Sequence, residues 1–154
     1  MDIGSGKGYP SSSLSNFAPH KFIIDEVECN SMEGFLQSLK FKDIKMQKEV
    51  CKLVGKQAKF KGKKKPWYKE QKLYWQGKEY KRDSVEYQEL LDRAYEELSK
   101  NEKFKRVLLY TGNAILNHSI GKIKQNETIL TRQEFCSRLT KIRKRLQIES
   151  GEKF

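Results

Sequence analysis

The segment from residue 30 to residue 41 limits the fold most, because its apolar and polar side chains follow the same helical spacing on neighbouring stripes. Four apolar side chains recur at i, i+3, i+4 and i+7, which predicts a helix with one face on the core. They are Met32, Phe35, Leu36 and Leu39. Glu33, Gln37 and Lys40 fall at i, i+4 and i+7 beside that face. The segment therefore predicts a helix whose polar stripe borders the core.

Local chemistry offers a simple interpretation of the charged residues on this helix. Asn30 can cap the helix, and Glu33 stands three residues later, which is the spacing of a capping box. A lysine beside apolar surface, such as Lys40, commonly extends its ammonium into water. Capping and solvation would then account for both residues without a catalytic role.

The net charge of the chain favours a polyanionic partner. The 154 residues include 32 Lys+Arg and 20 Asp+Glu, a net charge of +12 at pH 7. Such a charge attracts nucleic acid and phosphate-bearing small molecules alike, through long-range attraction and counterion release. Six lysines lie between Lys56 and Lys65, which predicts a solvated face that could also steer phosphates. Charge alone does not choose between these partners.

The cysteines and histidines indicate neither a disulfide framework nor a metal site. The three cysteines form no CxxC pair, and His20 and His118 lack the spacing of metal ligands. The apolar runs are far shorter than the roughly 20 residues that span a bilayer, and the N-terminal residues do not resemble a signal peptide. We therefore expect a cytoplasmic protein with reduced thiols, no metal and no membrane partner.

Helical patterns dominate the remaining sequence, with two short hairpins between them. Residues 21–29 and 73–82 predict hairpins, and Gly77 lies in the second turn. Residues 47–60 predict one helical stretch, followed by a lysine-rich break that Pro66 ends.

Three further helices are predicted, each with a start or stop signal. Asp83 can cap a long helix, and the next helix stops at Gly112. The last helix opens with Thr131 and Glu134, at the spacing of a capping box. Because the chain has no repeat, linker or second core, we predict one helix-rich α+β domain over residues 1–154 with a small antiparallel sheet.

Five motifs occur in the order found in a known family. They are LSNF at 14–17, SMEGFLQSLKF at 31–41, AKFKG at 58–62, NEKFKRVLLYTG at 101–112 and RLTKIR at 138–143. In this order they resemble the NADAR superfamily, also called YbiA-like, which typically reads L-S-N-F, S-x-E-x-x-x-Q-x-x-K-F, A-K-x-x-G, L-L-x-T-G and L-x-x-I-R. The resemblance covers nearly the whole chain, and the second motif is the most specific.

The chain departs from the family pattern at two places. It has Arg82-Asp83 where many members carry Trp-Asp. It has HSIGK at 118–122 and ETILTRQEFC at 127–136 where many members carry Asp-x-x-Trp-Gly. The sequence therefore looks like a divergent branch of the family.

The resemblance implies an N-glycosidase that cleaves a bond between ribose and a nitrogen. Substrates of the family are phosphorylated ribosylamino-pyrimidine intermediates of riboflavin synthesis and ADP-ribose attached to guanine, including guanine in DNA. Glu33 and Lys40 match the acid and the lysine of the second motif, so the polar stripe becomes the wall of a pocket. Asn16 and Gln37, which lie on the first two motifs, are expected to bind substrate. Trp75 in the second hairpin, Asp83 at the start of the long helix, and His118 and Gly121 in the polar loop at 118–127 are further candidates for substrate binding from their own positions. No cofactor is implied.

The chemistry of the two expected catalytic residues is consistent with this reaction. Breaking a glycosidic C–N bond develops positive charge at the anomeric carbon, which a carboxylate stabilises, and the leaving nitrogen needs a proton donor. Glu33 can serve in either role. If the sugar ring opens, a neutral Lys40 amine can capture the C1 aldehyde as a Schiff base.

Three functions remain open at the level of the sequence. The first is removal of ADP-ribose from ADP-ribosylated guanine, free or in nucleic acid. The positive charge favours this substrate over the riboflavin intermediate. The second is an inert module that binds ADP-ribose or nucleic acid. The third is a general nucleic-acid-binding protein that uses its lysines.

Overall fold

Two separate antiparallel hairpins supply the strands of the protein, whose computed structural model describes residues 1–151. β1 (Phe22–Ile24) pairs with β2 (Val27–Cys29), and β3 (Lys72–Trp75) pairs with β4 (Lys78–Lys81). Both predicted hairpins are confirmed, but they form two two-stranded sheets rather than one. The last three residues of the predicted domain, 152–154, lie outside the described residues.

The two hairpin turns share one backbone geometry although their sequences differ. The turn residues Asp25 and Glu26 have φ angles of 49° and 67°, and Gln76 and Gly77 have φ angles of 47° and 86°. Two consecutive positive φ angles are typical of the primed turns whose twist matches that of the strands. The first hairpin adopts this turn without the glycine that usually favours it.

Helices make up most of the remaining chain. They are α1 (Ser11–Leu14), α2 (Met32–Ser38), α3 (Ile44–Cys51), α4 (Gly55–Lys63), α5 (Val85–Leu98), α6 (Glu102–Tyr110) and α7 (Arg132–Glu149). Short 3-10 turns lie at Trp67–Lys69 and Gln125–Glu127. Within residues 1–151, every helix is too short or too polar to cross a membrane.

The helical stretch predicted over residues 47–60 is interrupted, because the chain turns between α3 and α4. Gly55 has a φ of +53°, a left-handed conformation that glycine adopts without strain. The freed carbonyls at the end of α3 hold the start of α2: Leu53 O accepts from Ser31 Oγ at 2.9 Å, and Lys52 O accepts from Asn30 Nδ2 at 2.8 Å. The break in the helix thus anchors the segment that leads into α2.

The helix caps correct two predictions and confirm a third. Ser31, not Asn30, caps α2, because its Oγ accepts from Gly34 N at 3.0 Å. Ser84, not Asp83, caps α5 and accepts from Tyr87 N at 3.2 Å. The capping box at the start of α7, formed by Thr131 and Glu134, is confirmed.

Helix α2 lies against several elements at once, which explains why all of its residues are buried. It contacts α3, α4, α5 and β2. A Cβ atom placed on Gly34 would lie 2.6 Å from Leu53 O, so only glycine permits this approach of α2 to the end of α3. The ring of Phe35 meets Trp75 edge-on with centroids 4.9 Å apart. The apolar face predicted for this segment therefore packs into the core.

Candidate functional site

A cavity of about 350 Å³ opens beside α2 and contains most of the polar residues singled out from the sequence. Its walls come from α2, α4, the segment after α1 and the segments that precede α7. Six of the eight expected site residues line it: Asn16, Glu33, Gln37, Lys40, His118 and Gly121. The cavity therefore brings together residues that are 105 positions apart in the chain.

Glu33 is a buried carboxylate at the wall of this cavity. Its side chain is held by Gln37, whose Nε2 donates to Glu33 Oε1 at 3.0 Å. Burial raises the pKa of Glu33, and the Gln37 hydrogen bond and the charges of Lys40 and Lys59 oppose that rise. The interpretation of Glu33 as a capping residue is wrong, because Ser31 caps α2 and the Glu33 carboxylate bonds to Gln37 instead.

Lys40 lies just past the end of α2 rather than on the helix itself. Its backbone N–H donates to Gln37 O, three residues earlier, at 3.2 Å. This bond forms a tighter turn that continues α2 by two residues beyond Ser38. The pKa of Lys40 is lowered to about 8, chiefly by burial and also by the nearby ammonium groups of Lys59 and Lys122, while the charge of Glu33 acts to raise it. At pH 7 a pKa of about 8 leaves roughly one amine in ten neutral. Lys40 is thus half-buried and partly deprotonated near neutral pH.

Asn16 is fixed against α2 by two hydrogen bonds. Its Oδ1 accepts from the hydroxyl of the buried Tyr95 at 2.8 Å, and its backbone carbonyl accepts from Glu33 N at 2.9 Å. The LSNF segment is therefore attached directly to the residue that carries the buried carboxylate.

His118 and Gly121 line the cavity from the loop between α6 and α7. His118 Nδ1 donates to Ile3 O at 2.8 Å, because a carbonyl oxygen can only accept. A Cβ atom on Gly121 would lie 2.5 Å from His118 Cδ2, so glycine allows the loop to fold back on the histidine. Asp2 fixes the same loop by accepting from Ser119 N at 2.8 Å. The N-terminal residues therefore position His118.

A buried ion pair supports the segment of residues 128–130 that also lines the cavity. Arg82 donates to both carboxylate oxygens of Glu134, at 3.1 and 2.6 Å, and its Nε donates to Thr128 O at 2.8 Å. Burial acts to raise the pKa of Glu134, but the hydrogen bonds from Arg82, from Thr131 N and from Gln88 lower it to about 2. Arg82, one of the departures from the family pattern, is therefore a structural residue in this chain.

Two of the expected substrate-binding residues lie away from the cavity. Trp75 belongs to the core: it is 3% exposed, and its Nε1 donates to Asp25 Oδ2 at 2.8 Å. Asp83 is exposed next to Ser84, the residue that caps α5. Both expectations are corrected, because the β3–β4 hairpin turns Trp75 toward Phe35 and leaves Asp83 at the surface.

The cavity also has lining residues that the sequence did not single out individually. The aromatic ones are Phe17, Trp67 and Phe135, and the basic ones are Lys59, Lys63 and Lys122. Lys59 and Lys63 stand four residues apart on α4 and therefore share one helix face. The lysine run and the AKFKG motif indicated the part of this wall that α4 forms. No pattern in the sequence indicated Trp67.

Gly62, the last residue of the AKFKG motif, allows α4 to contact the Gln37 side chain. A Cβ atom on Gly62 would overlap the Gln37 amide and lie 3.0 Å from Gln37 Cβ. Gly62→Ala should therefore lower the free energy of unfolding by about 1–3 kcal/mol, although alanine favours helix. Chemical denaturation measures the change, with Gly8→Ala as the control because no atom lies within 4 Å of a Cβ at Gly8. An equally stable Gly62→Ala protein would show that Gln37 moves aside freely.

Within residues 1–151, no three His, Cys, Asp or Glu side chains converge as metal ligands. The cavity contains two carboxylates, Glu33 and Glu127, and four lysines: Lys40, Lys59, Lys63 and Lys122. Its lining therefore suits an anionic ligand better than a cation.

Comparison with known proteins relates the chain to phage proteins in sequence and to a bacterial protein in fold. The family model described as bacteriophage protein GP30.3 matches residues 8–144. A 17.1 kDa protein from the Gp30–rIII intergenic region of Enterobacteria phage T4 is 33% identical over 146 residues, which cover 93% of this chain and 96% of the phage protein. The NMR structure of the E. coli protein YbiA matches with a TM-score of 0.61 and 19% identity, over 100% of this chain and 88% of YbiA. The predicted helix-rich, YbiA-like α+β fold is confirmed.

Proposed function

Because the chain belongs to the bacteriophage GP30.3 family and has a YbiA-like fold, we propose that it is an N-glycoside hydrolase that cleaves a ribose–nitrogen bond. One observation carries the proposal: a buried carboxylate, Glu33, and a lysine of lowered pKa, Lys40, line the same cavity. The five motifs that resemble the NADAR superfamily support it, because two of them supply Asn16, Glu33, Gln37 and Lys40.

Glu33 supplies the proton and the negative charge that the reaction requires. Burial raises the pKa of Glu33 and so favours the protonated carboxyl, which can donate to the leaving nitrogen. The resulting carboxylate stabilises the positive charge that develops at C1 of the ribose. Gln37 holds the carboxyl in one orientation through its hydrogen bond to Oε1.

Lys40 supplies the nucleophile. Its neutral amine forms a bond to C1 as the bond from C1 to the base nitrogen breaks, and the base leaves with a proton from Glu33. Ring opening then gives an imine between Lys40 and C1, with the ring oxygen taking up the amine proton as a hydroxyl. Water adds to C1, releases the amine and frees the sugar. The pKa of about 8 makes this amine available at neutral pH.

The cationic wall of the cavity supports a substrate that carries phosphate groups. Lys59, Lys63 and Lys122 are exposed at the cavity, and with Lys40 they outnumber its two carboxylates, Glu33 and Glu127. Two linked phosphates use such a wall more fully than one phosphate does. We therefore favour ADP-ribose on a guanine nitrogen as the substrate over a phosphorylated ribosylamino-pyrimidine.

The direct test is product analysis with both substrates. The protein is incubated separately with ADP-ribosylated guanine, as nucleotide and in DNA, and with the phosphoribosylamino-pyrimidine. Release of free ADP-ribose supports the proposal, and release of ribose phosphate alone shifts the substrate to the riboflavin type. Binding of either compound without any release identifies an inert binding module instead.

Trp67 provides a separate optical test of how the ligand binds. The protein has two tryptophans, and Trp67 is half-buried at the cavity whereas Trp75 is in the core. If the base of the ligand stacks on Trp67, ADP-ribose should quench its fluorescence and ribose 5-phosphate, which has no base, should not. Trp67→Ala should weaken ADP-ribose binding by about tenfold to a hundredfold.

Trp67→Phe is the matched control for the optical signal, because it keeps Trp75 as the only tryptophan and an aromatic ring at position 67. This variant should bind ADP-ribose but show no quenching. Quenching that persists in Trp67→Phe would assign the signal to Trp75 and contradict stacking on Trp67.

A further inference from the structure

We infer that α4 and the 3-10 turn after it form a docking surface for single-stranded nucleic acid, which delivers an unpaired base to the cavity. The inference rests on the proposed function for the role of the cavity, but the binding itself does not require turnover. The surface consists of residues 55–69 and is called the lysine surface below.

The lysine surface has an unusual concentration of unneutralised charge. Its seven lysines are all exposed, and the segment contains no aspartate or glutamate. They are Lys56, Lys59, Lys61, Lys63, Lys64, Lys65 and Lys69. Elsewhere in residues 1–151, several lysines pair with carboxylates, as Lys72 does with Glu79, but these seven form no such pair. A row of free ammonium groups matches the repeating charge of a phosphate backbone.

Exposed aromatic rings lie among these lysines. Phe60 is 63% exposed and Tyr68 is 56% exposed. Lys64 Nζ lies 5.1 Å from the Phe60 ring centroid, so charge and ring occupy the same patch. Unpaired bases stack on such rings and every base offers a face, whereas the bases of a duplex are already stacked on one another. This combination favours a single strand over a duplex.

The lysine surface is continuous with the cavity. Lys59, Lys63 and Trp67 belong to the segment and also line the cavity. Lys122 lines the cavity from a different segment, and Lys124 is exposed two residues later. A strand whose phosphates contact the outer lysines therefore has a base beside Trp67, at the opening that leads to Glu33 and Lys40.

Fluorescence anisotropy with a labelled, unmodified single-stranded oligodeoxynucleotide tests the charge contribution. The variant with Lys56→Gln, Lys61→Gln and Lys64→Gln removes three lysines that do not line the cavity. We expect its affinity to fall by about tenfold to a hundredfold near 0.1 M salt, and the salt slope to decrease by about 2. The matched control, Lys103→Gln, Lys141→Gln and Lys144→Gln, removes the same charge from exposed positions on α6 and α7 and should change affinity by less than about threefold. Thermal unfolding of both variants verifies that they are folded.

The aromatic contribution is tested in the same assay. Phe60→Ala and Tyr68→Ala should each weaken single-strand binding by about tenfold without changing the salt slope. Tyr110→Ala is the matched control, because Tyr110 is 68% exposed but lies on α6. A duplex of the same length should bind more weakly than the single strand.

Equal losses in the two triple variants would overturn the inference, because binding would then follow net charge rather than the lysine surface. Stronger binding of the duplex would overturn it as well. If the unaltered protein does not bind the single strand but releases ADP-ribose normally from a nucleotide substrate, the docking surface is removed and the proposed function is kept. Single-strand binding at the lysine surface without any release of ADP-ribose keeps the docking surface but removes the proposed function.

Discussion

Replacing Lys40 with arginine should abolish turnover and, with it, any covalent adduct of the sugar. A guanidinium stays protonated at every relevant pH, so it keeps the charge of Lys40 but cannot form an imine. Borohydride added during turnover should trap an adduct of ribose or ADP-ribose mass on Lys40 of the unaltered protein, and mass spectrometry of peptides locates it. We expect the Lys40→Arg protein to lose at least about a thousandfold in rate, as is usual for removal of a covalent nucleophile.

Lys42→Arg is the control for this experiment, because Lys42 is exposed and does not line the cavity. It should remain active and trappable. An active Lys40→Arg protein, or an adduct on another lysine, would limit Lys40 to contacts with the phosphate or the leaving group.

Glu33→Gln should reduce turnover by about a hundredfold or more, because the amide neither donates a carboxyl proton nor stabilises the charge at C1. Its shape matches that of glutamate, and Ser31 rather than Glu33 caps α2, so the helix should be kept. The substitution also removes the charge that raises the pKa of Lys40, and the rise of the remaining activity with pH should therefore move to lower pH. Full activity of Glu33→Gln would leave this residue only a structural role.

Glu28→Gln serves as the control for loss of a carboxylate, because Glu28 is exposed on β2 and does not line the cavity. It should change neither the rate nor the pH profile. A shift of the pH profile in this control would indicate that overall charge, rather than Glu33, sets the pKa of Lys40.

The sequence predicted those parts of the site that depend on local periodicity. Glu33 and Gln37 share a face of α2 because they are four residues apart, and the structure shows their hydrogen bond. Lys40 was less well predicted, since α2 ends at Ser38 and a tighter turn carries the lysine. The cap was misassigned because Asn30 and Ser31 are both good caps, and the Asn30 side chain donates instead to the carbonyl of Lys52, far along the chain.

The parts that depend on long-range contacts could not be derived from spacing. The position of Asn16 depends on Tyr95, and that of His118 depends on Ile3. The resemblance to a family indicated Asn16 but not His118, which lies where the chain departs from the family pattern. Trp75 was expected at the site, whereas nothing in the sequence singled out Trp67, which lines the cavity. Trp75 lies in the core instead, where it donates a hydrogen bond to Asp25 on the other hairpin.

The break between α3 and α4 has a consequence for how the cavity opens. The carbonyls of Lys52 and Leu53 accept hydrogen bonds from Asn30 and Ser31. The wall that bears Glu33 and Lys40 is therefore held by contacts between residues only 22 positions apart in the chain. The wall with His118 is held instead by contacts to the N-terminal residues and to Arg132, the first residue of α7. Two walls with separate supports can unfold locally and independently. Admission of a bulky ligand can therefore loosen the histidine side while the acid and the amine keep their mutual geometry.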